Sequence, residues 1–305
     1  MLHRYGERIH KIAIDASFTC PNRDGSKGRG GCTFCNVTSY SPGLLQHKTI
    51  PSQIEAGKNV IRKRTGALKY IAYFQTYTNT YADIDDLNLK YKQALSEKNI
   101  IGISVGTRPD CVSKDVLQLL ADYQSQGYEV WLELGLQSSF DKTLERVNRG
   151  HSYNDYRTTV DRAHQHHIKV CTHLILGLPG ESKSHALTTL ERVLEQDVKG
   201  LKIHPLHVVK GTIMANDWRR DSYVPLKLND YIDTVCDMIE LTPIDVIYHR
   251  LTGTASDKIL LAPSWCGKKW KVLNAISNEL GRRNSYQGYS HLPDYSPIAQ
   301  DQTNL

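Results

Sequence analysis

The feature that most constrains the fold is a regular alternation of short apolar runs and amphipathic segments. Six apolar runs are predicted strands: Lys11–Ile14, Tyr70–Gln75, Ile100–Gly106, Glu129–Leu136, Lys169–Leu176 and Leu201–Leu206. The segments between them are predicted helices, near Ile54–Arg64, Ile84–Glu97, Lys114–Gln124, Asp141–His166 and Ser184–Glu195. Apolar residues in these segments recur at the spacing of one helical face. Repeated strand–helix units build a parallel sheet with right-handed crossovers, so we expect an α/β fold.

Three polar loops, TRPD, LQSS and LGLPGES, each directly follow a predicted strand. In parallel α/β folds the loops at the carboxyl ends of the strands meet at one rim and build the active site. The sequence has neither GxGxxG after a strand nor GxxxxGK[ST], so neither kind of nucleotide site is supported. A complete or partial barrel explains several converging loops better than a doubly wound sheet with a single crevice.

The alternation weakens after about residue 208, although a helix over Leu228–Glu240 and a strand over Asp245–Arg250 are still predicted. We expect a core barrel over residues 1–250 and a C-terminal extension, residues 251–305, packed on it. The stretch from Asn284 is rich in Ser, Tyr, Pro, Gln and Asn. Such composition predicts a disordered tail from about residue 284.

The composition indicates an ordinary globular protein. Of the 305 residues, 40% are hydrophobic and 23% are charged, and the net charge of +6 favours an anionic partner only weakly. No apolar run approaches the roughly 20 residues that span a bilayer, and the N-terminus lacks the apolar core of a secretory signal. We therefore expect a cytoplasmic protein with no membrane partner.

Three of the seven cysteines, Cys20, Cys32 and Cys35, lie within sixteen residues of one glycine-rich loop. Three neighbouring thiolates would repel one another, and a metal centre explains their proximity. Zinc in a structural site takes four protein ligands, and the fourth could be supplied by a nearby histidine. The candidates for that ligand are His3, His10 and His47. A [4Fe–4S] cluster with three cysteine ligands is the other interpretation, and it leaves one iron open to a ligand.

Five motifs in order carry a family resemblance: CPNRDGSKGRGGCTFCN, GTRPDC, WLELGLQSS, VNRGH and HLILGLPGE. Together they resemble the radical S-adenosylmethionine (SAM) enzymes, in the YhcC/YtqA-type branch related to the Elp3 catalytic domain. The resemblance covers roughly Tyr5 to Trp270 and implies a partial (β/α)6 TIM-like barrel. The eleven-residue gap between Cys20 and Cys32 is longer than the superfamily's usual three, as in the Elp3-like branches.

The resemblance also implies the cofactors. Cys20, Cys32 and Cys35 would hold a [4Fe–4S] cluster whose fourth iron binds SAM, and reductive cleavage of SAM would generate a 5′-deoxyadenosyl radical. The residues implied in SAM binding are Phe34, Gln75, Gln137, Arg149, Leu176, Gly177 and Pro179. Among them Arg149 would pair with the SAM carboxylate, which suits a guanidinium fork. Arg108, Asp110, His204 and His207 are candidates for the substrate side of the rim.

The Elp3 relationship implies a tRNA substrate, modified at the C5 side chain of a wobble uridine. Two basic stretches agree with an RNA partner: Lys58 to Lys69, and Lys268 to Lys271 beside Trp265 and Trp270. The expected partners are an electron donor such as flavodoxin or ferredoxin and a downstream methyltransferase. Two alternatives remain: a radical SAM enzyme acting on a small metabolite or a protein side chain, and a zinc-dependent RNA-binding protein.

Overall fold

The computed structural model describes residues 6–36 and 49–291. Its strands are β1 (Ile9–Ile14), β2 (Lys69–Phe74), β3 (Ile100–Thr107), β4 (Glu129–Gln137), β5 (Lys169–Leu176), β6 (Gly200–Pro205), β7 (Val208–Val209), β8 (Ile247–Arg250) and β9 (Leu260–Ala262). Seven of them form one parallel sheet in the order β1-β2-β3-β4-β5-β6-β8, and β7 pairs with β9 in a small antiparallel ribbon. The predicted α/β class and parallel sheet are confirmed.

The helices are α1 (Pro21–Asp24), α2 (Ile50–Thr65), α3 (Ile84–Leu95), α4 (Lys114–Ser125), α5 (Asp141–Arg146), α6 (Tyr153–Gln165), α7 (Lys183–Leu194), α8 (Ile213–Arg219), α9 (Leu228–Leu241) and α10 (Lys269–Arg282). Polar side chains begin several of them: Ser113 accepts from the backbone of Val116, and Ser152 forms a capping box with Asp155. The apolar face of α4 buries Val116, Leu120 and Tyr123 in the main core, as its sequence spacing predicted.

The parallel sheet curls into a half-barrel. β1 and β8 are its two edges, yet the Lys11 Nζ of β1 lies 2.8 Å from the His249 Nδ1 of β8. Side chains from opposite edges can meet only if the sheet bends around a common interior. The predicted partial barrel is thus confirmed, and β8 adds one parallel strand to the six strand–helix units.

Two segments differ from the expectations. The helix predicted over Asp141–His166 is interrupted between α5 and α6, because Asn148 (φ 51°) and Gly150 (φ 70°) adopt left-handed conformations that end a helix. Residues 284–291, assigned to a disordered tail, instead pack on the end of α9: Gln287 Nε2 donates to two backbone carbonyls there, at 2.7 Å each. The rest of that tail, 292–305, lies outside the described residues.

Candidate functional site

A cavity of about 270 Å³ opens at the carboxyl ends of the parallel strands. Ten of the residues singled out in the sequence line it: Cys20, Cys32, Phe34, Cys35, Gln75, Arg108, Gln137, Arg149, His204 and His207. Four others, Asp110, Leu176, Gly177 and Pro179, lie outside this lining. These ten residues come from four of the five family motifs and from the segments around Gln75 and His204, so they meet at one place although nearly 190 positions separate the first from the last.

The cysteine loop is held around Asn22, which is buried at the start of α1. Its backbone carbonyl accepts from Gly31 N at 2.8 Å, and its side-chain Nδ2 donates to Asn148 O at 2.5 Å. The same Nδ2 lies 3.8 Å from Cys32 Sγ. Thr33 N adds a bond of 3.0 Å to Val147 O. The loop is thus fastened to the turn between α5 and α6, and the two elements position the sulfurs together.

Two guanidinium groups contact the loop's sulfurs. Arg23 Nη1 lies 3.5 Å from Cys35 Sγ, and Arg149 Nη1 lies 3.5 Å from Cys32 Sγ. Positive charge at this distance stabilises an anionic group bound through the sulfurs. The donor set of three cysteines with adjacent cations therefore fits a [4Fe–4S] cluster.

A zinc site fits less well. Four ligands around zinc at about 2.3 Å place sulfurs roughly 3.8 Å apart. Among the described residues, the group of three or more potential ligands within 4.8 Å of one another is Glu133, Cys171 and His249, and the three loop cysteines form no such group. His10 lies on β1, toward the opposite end of the strand from the loop that follows it. His3 and His47, the other proposed zinc ligands, lie outside the described residues.

Arg108 fixes the turn that carries Arg149. It is 2% exposed, and it donates from Nη1 to Arg149 O at 2.7 Å and from Nη2 to Gly150 O at 2.9 Å. Asp110 holds the same guanidinium with two contacts of 3.0 Å and also binds Lys27 at 2.5 Å. Burial acts to raise the pKa of Asp110, but hydrogen bonding and charge from Arg108 lower it below its ordinary value. The structure thus gives Asp110 a positioning role.

Arg149 reaches the cavity over Gly135. Its Nη2 donates to Gly135 O at 2.7 Å, and a side chain at position 135 would place its Cβ 2.6 Å from that Nη2. Gln137, two residues on, has a φ of 79°, which is unfavourable for a residue with a side chain. The pairing of β4 with β5 is irregular between these two positions. Such irregularities re-aim side chains next to active sites, and here they open the sheet beside Arg149 and Gln137.

The LGLPGE segment packs away from the cavity. Tyr223 Oη donates to Gly177 O at 2.7 Å, and a Cβ at Gly177 would lie 3.2 Å from the side chain of Leu226. Gly177 has a φ of 83°, so glycine is favoured there by the turn itself. The SAM-binding role of Leu176, Gly177 and Pro179 stays a prediction.

The inner end of the cavity carries a buried charge cluster that the motifs did not indicate. Glu133, fully buried on β4, accepts from Lys202 Nζ at 2.8 Å and from Ser104 Oγ at 2.6 Å, and it also contacts Lys11. His173 Nε2 lies 2.6 Å from Glu133 Oε2, the oxygen that also accepts from Lys202. Burial opposes ionisation, yet Lys202 and Lys11 hold the pKa of Glu133 well below its ordinary value.

Lys202 and Arg250 are the residues of this region that sequence reasoning missed. Both line the cavity, and Lys202 Nζ donates to Tyr73 Oη at 2.6 Å. Burial lowers the pKa of Lys202 to about 8. The available signal was a lysine inside an apolar strand, Leu201–Ile203, but its partners are remote in sequence.

His204 and His207 are neutral near pH 7. Burial, with positive charge from Arg250, lowers the pKa of His204 well below its ordinary value, and burial lowers the pKa of His207 to about 4. His204 Nε2 lies 3.2 Å from Arg250 Nη1. His207 Nε2 is buried with no hydrogen-bond partner in the part of the chain that the structure describes. Both side chains therefore act as uncharged hydrogen-bonding groups.

The sequence model of the Radical SAM superfamily matches residues 20–193, and that of the Radical_SAM C-terminal domain matches residues 198–282. The chain is 49% identical over 296 residues to Protein YhcC of Escherichia coli (strain K12), which covers 96% of this chain and 95% of that protein. It is 30% identical over 152 residues to a tRNA uridine(34) acetyltransferase of Dehalococcoides mccartyi (strain CBDB1), 48% of this chain and 32% of that protein.

Among solved structures, the archaeal Methanocaldococcus infernus Elp3 with an N-terminal deletion is similar, with a TM-score of 0.68 and 18% identity. The match covers 92% of this chain and 64% of that chain, and it shows a shared fold. No helix in the described ranges is long and apolar enough to cross a membrane. The resemblance drawn from the cysteine loop and the four later motifs is confirmed. The chain belongs to the radical SAM superfamily, in the branch that contains YhcC and YtqA.

Proposed function

We propose that Cys20, Cys32 and Cys35 hold a [4Fe–4S] cluster and that the adjoining cavity binds SAM. The observation that carries this proposal is the convergence of the three cysteines, Gln137 and Arg149 on one cavity at the carboxyl ends of the strands. When bound, the cluster and SAM supply a reductively generated 5′-deoxyadenosyl radical. An electron donor such as flavodoxin or ferredoxin and a cytoplasmic, reducing environment belong to the same proposal.

The chain's own residues have definite tasks in this function. Arg23 and Arg149 balance negative charge at the sulfurs, and Arg149 has donors to offer a carboxylate beside Cys32. Arg108 keeps the Arg149 turn in place from behind. Phe34 stands between Cys32 and Cys35 in the cavity wall and excludes water from the reacting centre.

Replacing the cysteines tests the cofactor site. Cys32→Ala should abolish 5′-deoxyadenosine production by protein reconstituted anaerobically, because two thiolates cannot replace the three-ligand set. Cys111→Ala is the matched control: burial raises the pKa of Cys111 to about 12, so this thiol stays protonated, and it lies outside the cavity lining. Product formation by Cys32→Ala, or a colourless protein with stoichiometric zinc, would reject the cluster.

For the substrate we propose tRNA, with modification at the C5 side chain of a wobble uridine. The name of the tRNA uridine(34) acetyltransferase relative supports this class of substrate. A surface groove lined by Lys268, Lys269, Lys271 and the 67%-exposed Trp270 supports it independently. Lysines contact phosphates and an exposed indole stacks on bases, which is how single-stranded RNA loops are bound. Thr254 belongs to the linings of both groove and cavity, so the groove adjoins the site.

The other basic stretch is not suited to this task. Arg62, Lys63 and Arg64 lie in the last turn of α2, and only three residues separate that helix from Lys69, where β2 begins. They therefore lie near the amino ends of the strands, whereas the cavity opens at the carboxyl ends. Of the flanking lysines, Lys58 lies 3.6 Å from Glu97. We accordingly assign RNA contact to the groove alone.

Salt-dependent tRNA binding separates the two stretches. The double variant Lys268→Gln/Lys271→Gln should weaken binding and flatten its salt dependence by roughly one unit per lost phosphate contact. The double variant Lys63→Gln/Arg64→Gln removes the same charge at the other end and should leave binding within about twofold of wild type. Equal losses from both pairs, or binding that ignores salt, would favour a small-molecule or protein substrate.

Modified nucleosides test the product and the partner. In tRNA from a deletion strain, a wobble-uridine nucleoside should be lost relative to the parent strain and its precursor should accumulate. If a methyltransferase acts downstream, its deletion should instead accumulate the product of this protein. An unchanged nucleoside profile would reject tRNA as the substrate while leaving the cofactor site untouched.

A further inference from the structure

The inner end of the cavity holds two cations side by side. Lys202 on β6 and Arg250 on β8 are register partners on neighbouring strands, and both line the cavity. Like charges opposite each other on adjacent strands destabilise a sheet. The pair therefore calls for an explanation other than the stability of the fold.

The surrounding carboxylate does not neutralise this pair. Glu133 binds Lys202 but also contacts Lys11 and the neutral His173, so two lysines in this region share one carboxylate. Arg250 forms no ion pair with any residue that the structure describes. Its hydrogen bond there joins Nη1 to His204 Nε2, and the other N–H groups of the fork have no partner among those residues. An excess of positive charge thus faces the cavity.

Neutral hydrogen-bonding groups stand beside the two cations. His204 and His207 are uncharged near pH 7, so they add polarity without adding charge. The buried His207 Nε2 has no partner within the described residues. Buried polar atoms are nearly always hydrogen-bonded in native proteins, so an orphaned atom in a cavity wall indicates a place where a ligand completes the bonding.

We propose that this inner end, formed by Lys202, His204, His207 and Arg250, binds a carboxylate group of the substrate. The guanidinium fork matches two carboxylate oxygens, and Lys202 adds a point charge. A carboxylate is favoured over a phosphate because the donors are strand side chains, whereas phosphates commonly bind backbone amides at helix starts and glycine loops. The inference rests on the proposed function only in placing SAM at the outer end, beside Arg149.

Acetate is a suitable probe for this site. Its binding to cluster-reconstituted wild-type protein, measured by ligand-observed NMR, should persist at saturating SAM. Arg250→Gln should weaken acetate binding at least tenfold, and Arg250→Lys should weaken it less, because the lysine keeps the charge but loses the fork. Arg220→Gln, at an exposed arginine on the end of α8, should stay within twofold of wild type.

Three outcomes would overturn the proposal. Displacement of acetate by SAM would assign the site to the cofactor's carboxylate, and equal losses in Arg250→Gln and Arg220→Gln would make the binding a general surface effect. Methylphosphonate that binds more tightly than acetate in an Arg250-dependent manner would assign a phosphate instead. Equilibrium dialysis with SAM is run on the same samples: failure to bind SAM would reject the proposed cofactor site, whereas the acetate series reports on the inner end alone.

Discussion

The outer and inner ends of the cavity are built in different ways. At the outer end, Cys32 and Arg149 come from a loop and a turn, and the side chains of Asn22 and Arg108 hold that turn by donating hydrogen bonds to its backbone carbonyls. At the inner end, the side chains come from strands and are held by one another around Glu133. The residues of the outer end are thus positioned by hydrogen bonds to main-chain carbonyls, and those of the inner end are positioned by paired charges. Removal of the shared carboxylate at the inner end should therefore lower stability most, whereas removal of Arg149 at the outer end should mainly weaken ligand binding.

Two carboxylates, one fully buried and one half-buried, give the sharpest contrast. Glu133→Gln should lower the free energy of unfolding by about 3–5 kcal/mol, because it leaves Lys11 and Lys202 without their counter-charge. Glu181→Gln, in the LGLPGE segment, should lower it by less than about 1 kcal/mol. Burial raises the pKa of Glu181, so its charge is less well stabilised by the fold than that of Glu133, and its hydrogen-bond partner is the uncharged Ser138. Chemical denaturation of both variants makes the measurement, and equal losses would contradict the distinction.

Arg149 tests the outer end. Arg149→Ala should weaken SAM binding to the reconstituted protein by about 1.5–3 kcal/mol if a charge-assisted carboxylate contact is lost. Arg149→Lys should recover part of that loss, because lysine restores the charge without the fork. The free energy of unfolding should change less than in Glu133→Gln. A SAM dissociation constant that stays the same in folded Arg149→Ala would remove this residue from the cofactor site.

A pH titration gives the smallest of the three effects. Burial lowers the pKa of Lys202 to about 8, so this side chain is charged below that pH and loses its proton above it. Acetate binding at the inner end should therefore weaken as the pH rises from 7 to 9, by at most roughly tenfold. The charged and titratable groups around Lys202 are Lys11, Tyr73, Glu133, Cys171, His173, His204, His249 and Arg250. Burial lowers the pKa values of His204 and His249, so neither changes its charge between pH 7 and 9.

Those neighbours do not obscure the titration of Lys202. Burial raises the pKa values of Tyr73 and Cys171 far above this range, burial lowers the pKa of His173 to about 3, and Glu133 stays ionised. Well below pH 8, where Lys202 is protonated, acetate should bind at its full affinity. Acetate binding that strengthens with rising pH would contradict the assignment. A Lys202→Met variant that keeps the same pH profile would assign the titration to another group.

The two ends also differ in how far the sequence predicts them. Cys20, Cys32 and Cys35 are close in the chain, so their spacing alone indicates a metal centre. Lys202 and Arg250 are forty-eight residues apart, and each looks like an ordinary strand residue. Their pairing depends on β8 joining the sheet beside β6, with a register shift next to Lys202. No local pattern encodes that contact, because it follows from the curl and order of the whole sheet.

The same distinction holds for the fold. Apolar runs and helical periodicity predicted the parallel strands, because both are local properties. The break between α5 and α6 was missed although an asparagine and a glycine mark it, since amphipathic spacing continues on both sides. The break turns Arg149 toward the cysteine loop, so the sequence predicted the residue but not the geometry that brings it there.

The contact between Lys11 and His249 has a mechanical consequence. These residues belong to the two open edges of the half-barrel, and both also reach Glu133 on the central strand, His249 at 3.6 Å. A single carboxylate thus couples the two edge strands, although β1 and β8 are not neighbours in the sheet. A double-mutant cycle on the two edge residues should be strongly non-additive, although five strands separate them in the sheet. A change that displaces one edge strand should therefore displace the other, because Glu133 on the central strand contacts both.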